Sequence, residues 1–290
     1  MKKILFLLFA SGSIYLFSQE NKKDYSIEPY SKIGFDKIKE GSALLKSPSY
    51  KDIYWTLNDS GNPPVIYPID SNGKIIKPDW VKDYKGIKIL DALNIDWEWL
   101  TSDDNGDLII GDTGNNYNYR KDLALYKVAE PNPYYANESG IIAKYPIKYP
   151  DQNSFPPDEN NFNFDLEAGY YYNGNLYIIS KNRSGSNAKI YKFDELKPYQ
   201  INIPKLIDTF DFKSMVTDAA ISPDKKYLAV LTYNYVWLFE RGDSDSFFKG
   251  KINKKEIKLG QCEGISFNGD FIIISNEEKD LFKINLKEIR

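Results

Sequence analysis

One pattern recurs along this chain and limits what it can fold into: a strand that opens on acidic residues, a tight turn, and a second apolar strand that ends in polar residues. One copy is Asp96-Trp97-Glu98-Trp99-Leu100, the turn Asn105-Gly106, and Leu108-Ile109-Ile110-Gly111-Asp112. The next has Asp165-Leu166-Glu167-Ala168, Asn173-Gly174 and Leu176-Tyr177-Ile178-Ile179-Ser180-Lys181 in the same register. A third is read as Asp218-Ala219-Ala220-Ile221 with a turn at Pro223-Asp224-Lys225, and a fourth begins at Glu263-Gly264-Ile265 and turns at Asn268-Gly269. A divergent copy pairs Ser42-Ala43-Leu44-Leu45 with a strand running into Asn58-Asp59.

Each hairpin is followed by a further strand (65–69, 123–128, 189–193, 236–239 and 281–284) and usually by a fourth (87–90, 141–147, 206–212 and 254–259). Four strands per repeat at intervals of about 45–70 residues is the pattern of β-propeller blades. The expected fold is therefore an all-β propeller of four-stranded blades, five by this reading. A sixth is possible if 72–91 or 131–162 hides a worn copy. The last repeat reaches Arg290 without a fourth strand, and residues 25–35 are expected to supply it and close the ring. A β-sandwich or a two-sheet solenoid would use the same strands, but neither calls for an acid at the same place in nearly every repeat. The Pro-, Asn- and Asp-rich stretch 146–163 reads as one long loop inside the domain.

Lys2 and Lys3 followed by an apolar core from Ile4 read as a secretory signal, expected to be cut after Ser18 or Gln19. That divides the chain into a signal at 1–19 and a single domain at 20–290, exported to a bacterial periplasm or secreted, and expected to be a monomer. No other apolar run approaches a membrane span. Cys262 is the only cysteine, so no intramolecular disulfide forms. The net charge of −3 becomes more acidic once Lys2 and Lys3 are removed, which argues against nucleic acid as a partner. The chain has no histidine. Ser-His-Asp triads, Cys-His pairs and His-ligated zinc are therefore excluded.

In a propeller, inner strands start and second strands end on one face. That face would gather Asp96, Glu98, Asp165, Glu167, Asp218 and Glu263 with the loops carrying Asn58, Asp59, Asp112, Asn115, Asn116, Arg120, Lys181 and Arg183. Carboxylates crowded at a channel mouth either bind protons more tightly or take up a cation, and hard oxygen ligands suit Ca²⁺. They could equally cap strands and bond backbone amides of a neighbouring repeat. The Asp-Asn-Gly clusters also fit ordinary turn chemistry.

The succession Asn58-Asp59-Ser60-Gly61-Asn62, Asp96-Trp97-Glu98, Gly111-Asp112-Thr113-Gly114-Asn115-Asn116 with Arg120, Glu167-Ala168, Val216-Thr217-Asp218-Ala219 and Gln261-Cys262-Glu263-Gly264 resembles a group of exported bacterial propellers. That group is associated with esterase-like phytase and WD-repeat-like proteins. Cys262 departs from it, since the group commonly has Gly there. Two readings of the polar face follow. One is a ligand- or partner-binding envelope protein that takes a small anionic ligand, a glycan or another envelope protein, with Tyr117, Tyr119, Tyr233 and Tyr235 as aromatic contacts. The other is a hydrolase of phosphate esters or lactones. There, Ca²⁺ sits on Glu98, Glu167 and Glu263, water is activated by Asp96, Asp165 or Asp218, and Arg120, Lys181 and Arg183 neutralise the substrate.

Overall fold

Alternating apolar residues and frequent turn signals produce an almost helix-free chain. The computed structural model describes residues 24–242 and 246–289; the expected signal, 1–19, lies outside them. The first strands are β1 (Ser31–Lys32), β2 (Leu45–Lys46), β3 (Ile53–Leu57), β4 (Val65–Asp70) and β5 (Ile87–Leu90). Next come β6 (Trp97–Ser102), β7 (Leu108–Asp112), β8 (Ala124–Val128) and β9 (Glu138–Pro146). They are followed by β10 (Asp165–Tyr172), β11 (Asn175–Lys181), β12 (Asn187–Phe193) and β13 (Lys205–Asp211). Then come β14 (Val216–Ile221), β15 (Tyr227–Thr232), β16 (Tyr235–Glu240) and β17 (Lys251–Glu256), and finally β18 (Cys262–Asn268), β19 (Phe271–Asn276) and β20 (Asp280–Asn285).

Strands β10 to β13 and β14 to β17 form two four-stranded sheets in chain order. A third four-stranded sheet has the order β1-β20-β19-β18, so the N-terminal strand completes the group begun by the C-terminal strands. Here Ser31 pairs with Leu281, and the Tyr25 hydroxyl donates to Asp280 at 3.0 Å. The remaining strands form one eight-stranded sheet, β2-β3-β4-β5-β9-β8-β7-β6. It consists of two antiparallel groups of four, joined where β5 runs parallel to β9 from Lys88–Glu138 to Leu90–Gly140. The stretches 72–91 and 131–162 thus supply the single strands β5 and β9 rather than a further group. The edge strand β17 carries Lys251, Lys254 and Lys255, charges that deter pairing with another chain.

The first strands of the groups pack against one another in a cycle: β6 on β10, β10 on β14, β14 on β18, β18 on β2, and β2 on β6. A cavity of about 310 Å³ at one end of this cycle is lined from all five, by Lys46, Thr101, Tyr171, Ala219 and Ser266 among others. Across that mouth the Lys225 ammonium meets Asp104 at 2.6 Å. The apolar core lies between neighbouring groups. Trp99, fully buried, fills the seam between β6–β9 and β10–β13, where a Cβ on Gly111 would stand 2.2 Å and one on Gly169 2.3 Å from the indole. No residue but glycine leaves room for that ring. Its Nε1 donates to Thr113 Oγ1 at 2.9 Å, which in turn donates to the Leu166 carbonyl at 2.8 Å.

Candidate functional site

Opposite that mouth, four of the five first strands carry one irregularity at the same place. The ladder pairs Trp97 with Asp112, Leu166 with Ser180, Val216 with Thr232 and Cys262 with Asn276, then skips one residue. The skipped residues are Glu98, Glu167, Thr217 and Glu263, and the residue after the Gly41–Asn58 bridge is Ser42. A bulge re-aims the side chain it frees and bends the strand locally. Three carboxyls and two hydroxyls therefore take equivalent positions around the cycle. The pairing also corrects the third repeat. Asp96 and Asp165 each precede the pair before the bulge, a place held there by Met215, whereas Asp218 follows the bulge and corresponds to Trp99 and Ala168.

That difference in register gives the acids different surroundings. Asp218 accepts from the Ala219 amide and, at 2.8 Å, from the Ile265 amide, pinning β14 to β18. Asp165 accepts from the Asn115 amide at 2.6 Å and from Arg183 Nε, so both its oxygens are engaged. Glu167 has one oxygen 3.1 Å from Lys181 Nζ and the other 3.3 Å from Arg183 Nη2. Glu263 accepts from the Tyr233 hydroxyl at 3.1 Å, and Lys181 Nζ lies 4.9 Å from the centre of that tyrosine ring. Glu98 shares a hydrogen bond with Asp96, both packed over Gly114.

The cluster is closed to solvent: Asp165 is 0 %, Glu167 2 % and Lys181 3 % exposed. Burial, then the charges of Glu167, Asp96 and Asp165, pushes the Glu98 carboxyl well above the usual carboxylate range. Burial alone would push Lys181 down, but Glu167 and Glu263 outweigh it and hold the ammonium protonated. Positive charge inside the ring of acids is thus supplied by Lys181 and Arg183. Among the described residues, no three His, Cys, Asp or Glu side chains are grouped so as to hold a metal ion.

Around this core the polar loops divide into scaffold and rim. Asn58 is buried and accepts from the Lys39 amide while donating to the Lys37 carbonyl and Tyr67. Asn115 donates to the Phe164 carbonyl and accepts from the Arg120 amide. Arg120 is spent on Asp112, Asp122 and the Gly114 carbonyl, so its guanidinium braces the loop. Asn118, at φ 54°, fastens the same loop to Phe164, a role whose only sign in the sequence is a turn-forming residue type. The rim is Asp59, Asn116, Tyr117, Tyr119, Arg183, Tyr233 and Glu277. Tyr117 and Tyr119 are 69 % and 58 % exposed and stack with ring centres 6.3 Å apart.

Asp59 and Glu277 are half-buried carboxyls raised to about 7, in each case first by burial and then by neighbouring acids, Glu40 for Asp59 and Glu263 for Glu277. A carboxyl raised in the folded state contributes stability that is present below its unfolded value near 4 and is lost as pH rises through about 7. The double variant Asp59→Asn/Glu277→Gln is therefore expected to melt above the wild type at pH 8 and level with it at pH 4. Thermal scans at the two pH values check this; a gain of equal size at both would assign the effect to packing.

No family model matches the sequence, and no curated protein matches it. Among solved structures, the chain is similar to the computationally designed Ika8 protein, at 8 % identity and a TM-score of 0.34, over 84 % of this chain and 70 % of that one. A likeness that distant carries no argument about this chain. No helix among the described residues is long and apolar enough to cross a membrane.

Proposed function

We propose that the chain is an exported five-bladed β-propeller that binds a glycan on the rim above its carboxylate cluster. The observation that carries this reading is the stacked, exposed Tyr117–Tyr119 pair, held on a loop that Asp165, Arg120 and Asn118 keep rigid. Aromatic faces offer apolar area at low entropic cost, and Asn116, next to Tyr117 in the chain and bonded to Arg183, supplies with it donors and acceptors for hydroxyls. The cyclic packing of five first strands and the closure by β1 support the propeller. The buried cluster below serves as its foundation. In this reading its charge is balanced by Lys181 and Arg183 in place of Ca²⁺, and Ca²⁺ or a chelator leaves the melting temperature unchanged. A Ca²⁺-dependent rise lost in Glu167→Gln would refute that balance.

The wild-type protein should be retarded on immobilised neutral oligosaccharides and the Tyr117→Ala/Tyr119→Ala variant should not. Equal mobility of the two rules the rim out. One observation favours hydrolysis as a second reading, namely that Asp59 and Glu277 titrate near neutrality, where acid–base catalysts work. Turnover of a phosphate ester or lactone that disappears in Glu277→Gln would select it.

A further inference from the structure

A second cavity, of about 480 Å³, is walled by the segment from Arg120 to Leu123 and by the end of β9. Its size suits a small organic molecule. Its walls combine two kinds of residue. Phe155 and Ile201 present apolar surface over the buried Ile147, and Ile201 is 68 % exposed. Lys121, Lys144 and Lys148 surround them.

None of these three lysines forms an ion pair among the described residues. Lys121 lies over the Phe155 ring at 4.9 Å and Lys144 over the Tyr126 ring at 5.3 Å, contacts that leave an ammonium free to meet an anion. The acid in the wall, Asp122, is held by Arg120 at 3.1 Å. Three uncompensated cations gathered on one apolar pocket are conspicuous in a chain of net charge −3.

We infer that this cavity binds an amphipathic monoanion, an acyl carboxylate whose apolar body lies on Phe155, Ile147 and Ile201 and whose head meets Lys121, Lys144 and Lys148. Lysine stems lie along apolar surface with their charged ends at its margin, which places apolar body and anionic head together. The inference stands apart from the glycan reading, since the two sites share no contacting side chain.

Decanoate below its micelle concentration is the probe, with decylamine as its cationic counterpart, each titrated calorimetrically into the full chain. Decanoate is expected to bind saturably at one site and decylamine not at all. Lys144→Gln/Lys148→Gln is expected to weaken decanoate tenfold or more, and Phe155→Ala comparably. Lys148 is exposed and Lys144 half-buried, and an unchanged melting temperature confirms that the variant is folded. Tyr117→Ala/Tyr119→Ala should leave decanoate binding intact, which separates this site from the rim. Absence of saturable decanoate binding, equal binding of decylamine, or an unchanged dissociation constant in the lysine variant would overturn the inference.

Discussion

Replacing Lys181 by Met is expected to lower the unfolding free energy by about 3–5 kcal/mol near pH 8, the usual cost of leaving a buried charge unpaired. The lysine lies 3.1 Å from Glu167 in a cluster closed to water, and burial already raises both Glu167 and Glu263. A carboxyl raised in this way stabilises the fold below its unfolded value near 4.3 and loses that contribution as pH rises through its folded value. Lys181 opposes the rise. Without it, the folded state meets the full repulsion at high pH and less of it as pH falls and the raised glutamates take up protons. Denaturant unfolding at both pH values measures the difference, and Glu167→Gln in the Lys181→Met background should restore part of the loss. A deficit equal at pH 5 and pH 8 would show that the lysine contributes packing alone.

Trp99→Ala is expected to cost about 3–5 kcal/mol, because a ring of that size leaves a cavity its surroundings cannot fill. Gly111 and Gly169 flank the indole from two different sheets, so truncation opens the seam on both sides and also removes the donor to Thr113. The smaller change Trp99→Phe keeps most of the volume but leaves Thr113 without its donor, and should lose less. Chemical denaturation compares the three proteins. Near-equal stability of Trp99→Ala and wild type would mean that the two sheets are held together elsewhere.

The strands were largely legible because period-two alternation and turn residues are local signals. The fourth strand read at 87–90 is β5, and the expected use of residues 25–35 to complete the last group corresponds to β1. What escaped the sequence was register. A bulge adds one residue without changing composition, so Asp218 aligned with Asp96 and Asp165 by residue type while its backbone position matches Trp99. The same slip hid Thr217, whose buried hydroxyl, without a hydrogen-bond partner among the described residues, takes the place that Glu98 and Glu167 hold elsewhere. The Lys181–Glu167 pair was hidden for another reason. The sequence points to Lys181 as a substrate contact and to Glu167 as a metal ligand, since proximity across a hairpin says nothing of which charges satisfy each other.

The pairing of β1 with β20 also fixes an order of events during synthesis. Tyr25 and Asp280 are 255 residues apart, so the first-made segment of the domain stays without its partner until the last strand emerges. At ribosomal speeds of about 5–20 residues per second, that interval is on the order of 10–50 s. During it the earlier sheets can form their hairpins, but the circuit of first strands stays open. A nascent chain stalled before β20 should therefore be cut by protease near Tyr25, and one released at full length should resist.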